Sequence, residues 1–445
     1  MRFYLVSLGC PKNEVDADNM AQLLTEAGHS LVSNAAEADL LVVNTCGFID
    51  RAREESLAAL LELSGGKRPD QKLVAAGCFS QLYRERLLDM VPGLDGLLGT
   101  RRWMEIDHLA DTLQAQPALA ESVVLDDPAP EAIARVRDRI LRGRPTATAY
   151  LRIADGCDAA CAFCTIPHIK GPLVSRPAAE VIAEARYLVQ QGAKELVVIA
   201  QDTTAYGQDR GERDALPGLL ESILAEAPDL AWLRLMYAYP QHISPHLIEL
   251  MARHPKICHY LDLPLQHAHP ATLLRMRRPH NVDHTQQLLA RLRDAMPDIA
   301  LRTTFIVGYP GETEEEFAGL LAFVKDNAFD HVGVFTYSPE EGTSAASLPD
   351  AIPPEIKQER YDRLMSLQQK LSLKHNRAQV GRAVDVLVEG AGDGLSLGRS
   401  YRDAPEIDGL IMFSGEAPLG DFVPVRITEA GEYDLGGKWL RRGRG

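Results

Sequence analysis

Seven cysteines stand in this 445-residue chain, and six of them have a pattern that can carry chemistry. Cys157, Cys161 and Cys164 form a CxxxCxxC loop, DGCDAACAFC, that places three soft thiolates within eight residues. Thiolates so spaced can wrap one iron-sulfur cluster and leave a fourth coordination position to a chelating substrate. The competing reading is a structural zinc site, which needs a fourth protein ligand at suitable spacing; His168 is the only near candidate. The second set is subtler: Cys10, Cys46 and Cys78 each end an apolar run, in LGC, NTCG and AGC. In an open α/β sheet the carboxyl ends of parallel strands face one crevice, so these thiols can converge there on a second cluster. Gly9, Gly47 and Gly77 would let the backbone come close to a bulky ligand. The plain alternative is three core cysteines, since free Cys is among the most buried residue types. Cys258, in KICHY with no other cysteine nearby, reads as a packing residue.

These thiols need strands to position them, and the chain supplies the pattern. Residues 1–113 alternate short apolar strands (Phe3 to Leu8, Leu40 to Val43, Leu73 to Ala76) with helical stretches (Val15 to Ala27, Arg53 to Leu63), which implies an open parallel α/β domain. Residues 114–140 turn Ala/Pro/Glu/Asp-rich and end in a charged, helix-like run before Pro145, as a linker would. Over 141–374 come six strand candidates: Ala149 to Ile153, Glu195 to Ala200, Trp232 to Met236, Tyr260 to Leu263, Leu301 to Val307 and His331 to Phe335. Each is followed by a helical stretch or loop, which fits a parallel β/α barrel, complete or partial. The CxxxCxxC loop then lies just after the first barrel strand, on the face where such barrels build active sites. Thr313 with Glu316 marks a capping box, residues 355–376 an amphipathic helix, and residues 375–445 read as a small OB-like β-barrel of short β-rich runs (Val384 to Val388, Leu410 to Phe413, Phe422 to Ile427). Fold class is therefore α/β throughout the first two domains, with an all-β third.

Position alone nominates cofactor-pocket residues at other strand ends: Gln201 and Asp202, Gln266 and His267, Gly308 and Tyr309. For His267 a hydrogen-bonded loop histidine is the plain alternative. Tyr337, Arg176 and Lys170 stay unassigned, because a lone basic residue in a loop is usually solvated. No side chain is singled out as catalytic.

Composition narrows the class. A net charge of -15 repels phosphate backbones at long range and favours a basic partner. No run approaches the roughly 18 apolar residues of a membrane span, the N-terminus lacks a signal peptide's pattern, and the only polybasic tract is the short Arg441, Arg442, Arg444 tail. A cytoplasmic protein is expected, with thiols kept reduced and available to metal.

Thiol patterns and domain order together resemble the radical S-adenosylmethionine methylthiotransferases, which join a three-cysteine domain, a radical S-adenosylmethionine barrel and a C-terminal TRAM β-barrel. The likeness covers nearly the whole chain and rests on GCDAACAFCTIP (Gly156 to Pro167) and the strand-end cysteines. VNTCGFID (Val43 to Asp50) with Glu54, Glu55 and Ser56, YLDLPLQH (Tyr260 to His267), LRTTFIVG (Leu301 to Gly308) and RSYRDAPEID (Arg399 to Asp408) are similar to the branch that modifies an aspartate of small-subunit ribosomal protein twelve. The branch that modifies adenosine in tRNA usually carries Ser-Ile-Arg where this chain has Gly47, Phe48 and Ile49.

The resemblance implies two [4Fe-4S] clusters, one on Cys157, Cys161 and Cys164 and one on Cys10, Cys46 and Cys78, with S-adenosylmethionine on the open iron of the first. It also implies one-electron cleavage of that cofactor to a radical, hydrogen abstraction from the aspartate β-carbon, and delivery of sulfur from the second cluster as a methylthio group. A second S-adenosylmethionine supplies the methyl, and an electron-donor protein of unknown identity is needed. From Arg382 onward eight Arg/Lys face eleven Asp/Glu, which suits docking of a basic ribosomal protein better than stable nucleic-acid binding. A solvated acidic face is the plain alternative. Two rivals remain: the same chemistry on tRNA, and a non-enzymatic metal-stapled adaptor that would hold zinc and need its cysteines only to fold.

Overall fold

The computed structural model describes residues 1–115, 123–125 and 147–440. Its contacts divide the chain into two compact units. Among the described residues the first holds 1–115, 123–125, 154–158 and 164–188, and the second holds 147–153, 159–163 and 189–440.

In the first unit six strands, β1 (Arg2–Ser7), β2 (Ser30–Leu31), β3 (Leu40–Thr45), β4 (Lys72–Gly77), β5 (Gly96–Gly99) and β6 (Val123–Leu125), pair in parallel in the order β2-β1-β3-β4-β5-β6. The runs LLVVNT and KLVAAG are buried at every position, as strands covered on both faces must be. Alternation then divides them: Leu40 and Val42 pack with Met20 and Leu23 of helix Pro11–Glu26 and Leu109 of helix Ile106–Ala115. Leu41 and Val43 point the other way, toward Leu60 of helix Asp50–Gly66. The first helix starts at Pro11 rather than Val15, because proline's fixed φ and missing N–H suit the first helical position.

One expectation is corrected here. Val123–Leu125 falls within the stretch expected to be linker, yet it forms β6, paired with β5 at Gly96, Leu97 and Leu98. Three residues are too few to show a period, so only the sheet reveals this strand. The charged run before Pro145 lies outside the described residues. Later in the same unit β8 (Ala154–Asp155) and β9 (Val174–Ser175) pair antiparallel.

The second unit begins with β7 (Thr148–Arg152), followed by β10 (Glu195–Ile199), β11 (Trp232–Leu235), β12 (Ile257–Asp262), β13 (Ala300–Val307) and β14 (His331–Thr336). All pair in parallel in the order β14-β13-β12-β11-β10-β7, a partial barrel whose two outer strands do not meet. Cys258 lies buried in β12, as a packing residue should. Helix Glu314–Asn327 opens with the Thr313 and Glu316 capping box in both directions. After helix Pro354–Arg377 the chain closes a five-stranded barrel of β15 (Ala383–Gly392), β16 (Leu395–Arg399), β17 (Ile411–Ser414), β18 (Phe422–Ala430) and β19 (Leu435–Trp439) around Val386, Ile411, Phe413, Val425 and Ile427. No described helix is long and apolar enough to cross a membrane.

The segment Arg399 to Asp408 has a structural role that its charge did not suggest. Arg399 donates to Glu195 at 2.6 Å, Arg402 pairs with Asp330, and Asp408 accepts from Tyr260 at 2.6 Å and lies 3.4 Å from Arg302 and 3.5 Å from His331. Glu195 and His331 open their strands, so the segment sits at the amino-terminal end of the sheet, where such barrels build stability rather than chemistry. Asp403 is buried and the Asp408 side chain only 2% exposed, which removes both from the acidic face expected to meet a partner.

Candidate metal centres and cofactor pocket

Each strand-end thiol sits where a strand hands over to a loop or helix. Cys10 is the N-cap residue of helix Pro11–Glu26, Cys46 follows β3, and Cys78 follows β4 as the first residue of helix Cys78–Tyr83. One side chain ties the three ends together. The Asn13 amide donates to the carbonyls of Leu8 at 2.9 Å and Thr45 at 3.0 Å, while its oxygen accepts from the Cys78 thiol at 3.5 Å. Ser56 fixes the second: Cys46 N–H donates to its hydroxyl, which donates back to the Cys46 carbonyl, each at 3.0 Å.

Burial pushes Cys46 up to about 11, and Cys10 adds to the rise. Burial pushes Cys78 up to about 12, where Lys170 opposes the shift and Cys10 and Cys46 add to it. Gly9 shows how closely the chain folds here: at φ +97° it sits where a Cβ would come 2.5 Å from Cys46 Cβ. What needs the glycine is therefore Cys46 itself rather than a ligand. Among the described residues no three His, Cys, Asp or Glu side chains gather around one point as a single metal ion would require. The donor set is nonetheless suited to an iron-sulfur group: three soft thiols, Cys46 and Cys78 buried and Cys10 half-buried, whose protons a bound metal would displace.

Lys170, expected to be a solvated loop residue, is buried. Its ammonium donates to Asp16 at 3.0 Å and lies 3.6 Å from Asp155, two residues before Cys157, with side chains of Lys170 and Asp16 only 3% and 1% exposed. Nothing local marks Lys170 for this, because its partner stands 154 residues away. Arg101 reinforces the same helix, Ile166–Lys170, by donating to the carbonyls of His168 at 2.7 Å and Ile169 at 3.0 Å. Removing one partner of a buried pair strands the other charge, at a cost of about 3–5 kcal/mol. Lys170→Met should therefore lower the stability of the first unit by that order in urea unfolding, and Asp16→Asn added to it should recover part of the loss. Equal stability of Lys170→Met and wild type would count against a structural pair.

The CxxxCxxC loop is held from both sides of its sequence. Cys157 N–H donates to Gly171 O at 3.1 Å within the first unit. Within the second, Ala162 N–H donates to Met276 O at 2.9 Å, its carbonyl accepts from Ala345 N–H at 2.8 Å, and Ala162 packs with Tyr309 and Tyr337. Arg278 Nη1 lies 3.7 Å from Cys161 Sγ. Cys157, Cys161 and Cys164 are partly exposed.

The other nominated residues follow strand ends of the second unit but differ in what they are free to do. Gln201 has a buried amide oxygen without a hydrogen-bond partner, and the Tyr337 hydroxyl is likewise buried and unpartnered. Asp202 is already occupied: it accepts from Ala205 N–H at 3.1 Å and Thr204 at 2.6 Å and pairs with His242 at 2.8 Å. Gln266 adopts φ +71° and exchanges backbone hydrogen bonds with Thr304 and Ile306 at 2.8 Å. Gly308, at φ +70°, lies under Lys357, whose Cγ would be 2.3 Å from an added Cβ. His267 is fully buried, burial lowering it to about 3, so the imidazole stays neutral. Its Nδ1 accepts from His269 N–H at 3.0 Å and its Nε2 lies 4.0 Å from Glu312. Burial raises Glu312 to about 7 although Arg360 stands 3.3 Å away. Arg176 pairs with Glu184 at 2.6 Å. Asn13, Arg278 and Glu312 were not nominated from sequence; the run RMRRP around Arg278 was the visible signal, an arginine pair beside a strand-end helix.

A six-stranded parallel partial barrel with a three-thiol loop after its first strand defines a radical S-adenosylmethionine enzyme. The radical SAM superfamily model matches residues 151–324, the uncharacterized protein family UPF0004 residues 2–99 and the TRAM domain residues 380–440. Over these modules the chain belongs to the ribosomal protein uS12 methylthiotransferase family, RimO. It is 51% identical to such a protein of Roseiflexus sp. (strain RS-1) over 99% of this chain and 97% of that one. Identity is 49% with the Chloroflexus aurantiacus relative (99% and 100%) and 46% with that of Synechocystis sp. (97% and 96%). Among solved structures, the radical S-adenosylmethionine methyltransferase TsrM from Kitasatospora setae superposes with a TM-score of 0.57 at 15% identity, over 75% of this chain and 72% of that one, a likeness of fold. A radical S-adenosylmethionine methylthiotransferase uses that cofactor and an iron-sulfur cluster, and the buried polar atoms left open at the strand ends suit such a ligand.

Proposed function

We propose that this chain attaches a methylthio group to the β-carbon of an aspartate of ribosomal protein uS12. The observation that carries the reading is two thiol triads in one chain, one gathered by Asn13 at three strand ends and one in the CxxxCxxC loop, in a member of a family named for that reaction. Cys157, Cys161 and Cys164 would hold one [4Fe-4S] cluster together with S-adenosylmethionine, and Cys10, Cys46 and Cys78 a second that carries sulfur. When bound, these groups supply one-electron cleavage of the cofactor, the sulfur and the methyl.

The chain's own part is to orient and to exclude water. Neutral, buried His267 presents an uncharged ring at its strand end, Gln201 offers an acceptor and Tyr337 a hydroxyl to the cofactor, and Gln266 and Gly308 shape the backbone. Asp202 acts one step removed, capping its loop and holding His242.

Surface charge supports a basic protein partner in the cytoplasm. With Asp403 and Asp408 buried, nine other carboxylates of the C-terminal barrel remain exposed among the described residues, against Arg382, Arg426 and Lys438. A groove of about 500 Å³ on that barrel combines apolar Leu395 and Met412 with Glu429 and Asp434, a surface for a basic segment with an apolar anchor. Incubation of reconstituted enzyme with S-adenosylmethionine, reductant and either purified uS12 or bulk tRNA tests this by mass spectrometry. A methylthio group on a uS12 aspartate is expected; modification of tRNA adenosine alone would transfer the reading to the tRNA branch.

A further inference from the structure

We propose that Arg278 is a positioning residue for the barrel cluster: its guanidinium donates to the Cys161 sulfur and makes that cluster easier to reduce. The proposal rests on Cys161 being a cluster ligand. Arg278 is 8% exposed, whereas its neighbour Arg277 is exposed and turns the backbone at φ +54°. One contact of the buried arginine reaches the cysteine loop, and the other two hold the guanidinium beside it. Nη1 lies 3.7 Å from Cys161 Sγ, Nη2 donates to the Pro264 carbonyl, and Cζ sits 4.3 Å over the Tyr239 ring.

Among the described residues no carboxylate pairs with Arg278, and its Nε has no hydrogen-bond partner. A guanidinium taken out of water without an anion is unfavourable, so this site is arranged for negative charge that arrives with the cluster. Register is fixed as well. The carbonyl of Met276, two residues before the arginine, accepts from the N–H of Ala162, the residue after Cys161, and Arg278 N–H is itself held by Leu273 O at 2.9 Å. Thiol and guanidinium therefore move as one piece.

Reduction adds an electron to cluster and thiolate ligands, so a cation hydrogen-bonded to one sulfur favours the reduced state more than the oxidised one. Without it the potential falls.

Redox titration of the anaerobic holoenzyme, followed by the electron paramagnetic resonance signal that changes when S-adenosylmethionine is added, isolates this cluster. Arg278→Met with full iron content should shift the reduction equilibrium about tenfold against the reduced form, ~59 mV for one electron. Arg278→Lys, which keeps the charge, should restore most of the shift, and Tyr239→Leu, which frees the guanidinium, should lie between. A Met variant with full iron and an unshifted midpoint would reduce Arg278 to a tether on Pro264 and overturn the proposal. If the Met variant fails to load iron, loading in the Lys variant supports a need for charge, and failure in both with an unshifted Tyr239→Leu overturns it. Should Cys161→Ala keep the cofactor-responsive signal, Cys161 is no ligand and the underlying reading fails first.

Discussion

Alanine at Cys157, Cys161 and Cys164 together is expected to halve the iron of anaerobically purified protein, from about eight to about four per chain, and to abolish cleavage of S-adenosylmethionine. Three loop sulfurs close in sequence would leave an iron with an open position, where the cofactor would chelate. Cys10→Ala should behave differently, keeping cofactor cleavage while losing transfer of the methylthio group. Cys10 belongs to the set gathered by Asn13, whose thiols sit on a different sheet from the barrel strands. Iron and acid-labile sulfide assays, with chromatography of the cofactor products, decide the matter. About four irons in wild type falling to none in the triple variant would return Cys10, Cys46 and Cys78 to ordinary core packing. Equal failure of both variants at cofactor cleavage would remove the division of labour between the triads.

The largest stability effect is expected at Glu195. Its carboxylate is wholly buried and accepts from Arg234 at 2.7 Å, Arg399 at 2.6 Å and Thr148 at 3.1 Å. Burial alone would raise its pKa, but the two guanidiniums outweigh burial and hold the carboxyl below its ordinary 4.5. Glu195→Gln leaves two buried cations facing each other and should cost about 3–5 kcal/mol or more. Arg399→Met added to it removes one of those cations and should recover part of the loss, a coupling that separate, independent sites would not show. Trp232, 4.6 Å from Phe422 ring to ring, reports on this junction by fluorescence during denaturant unfolding. The sign with pH follows from the lowered value: the contribution is full above about 4.5 and is lost as pH falls through the folded value, so the gap between wild type and Glu195→Gln should narrow only in acid. Unfolding midpoints of the two proteins that coincide at neutral pH would sink this account.

Much of the fold was legible from period and punctuation. Six barrel strands showed as short runs rich in apolar and β-branched residues, of which Glu195–Ile199 is buried at every position, and the Thr313 and Glu316 box announced its helix. What stayed hidden was short or non-local. β6 has three residues and exists only because β5 offers it an edge, and β16 and β19 alternate too weakly to stand out from the turns beside them.

Charge misled for a related reason. Counting carboxylates in Arg399 to Asp408 treats them as solvent-facing, whereas Asp408 meets Tyr260, Arg302 and His331 from strands more than 70 residues earlier. The motif's likeness to the uS12-modifying branch stands, and in the fold it plugs the amino-terminal end of the sheet. Lys170 was misread in the same way, since a lone lysine in sequence becomes a buried ion pair only when helix Pro11–Glu26 brings Asp16 to it.

By itself the sequence determined the chemistry on offer, because a CxxxCxxC loop after a strand, and three thiols at strand ends, are local patterns of residue type and spacing. It also determined the order of an open sheet, a partial barrel and a small β-barrel, since hydrophobic period is a local property too. Tertiary structure alone decided which polar groups serve those thiols. Asn13 joins three strand ends, Arg278 reaches Cys161 across 117 residues, and Glu195 binds two arginines from different strands. Hydrogen bonds and ion pairs of this kind depend on distance in space and on exclusion of water, and neither quantity exists until the chain has folded.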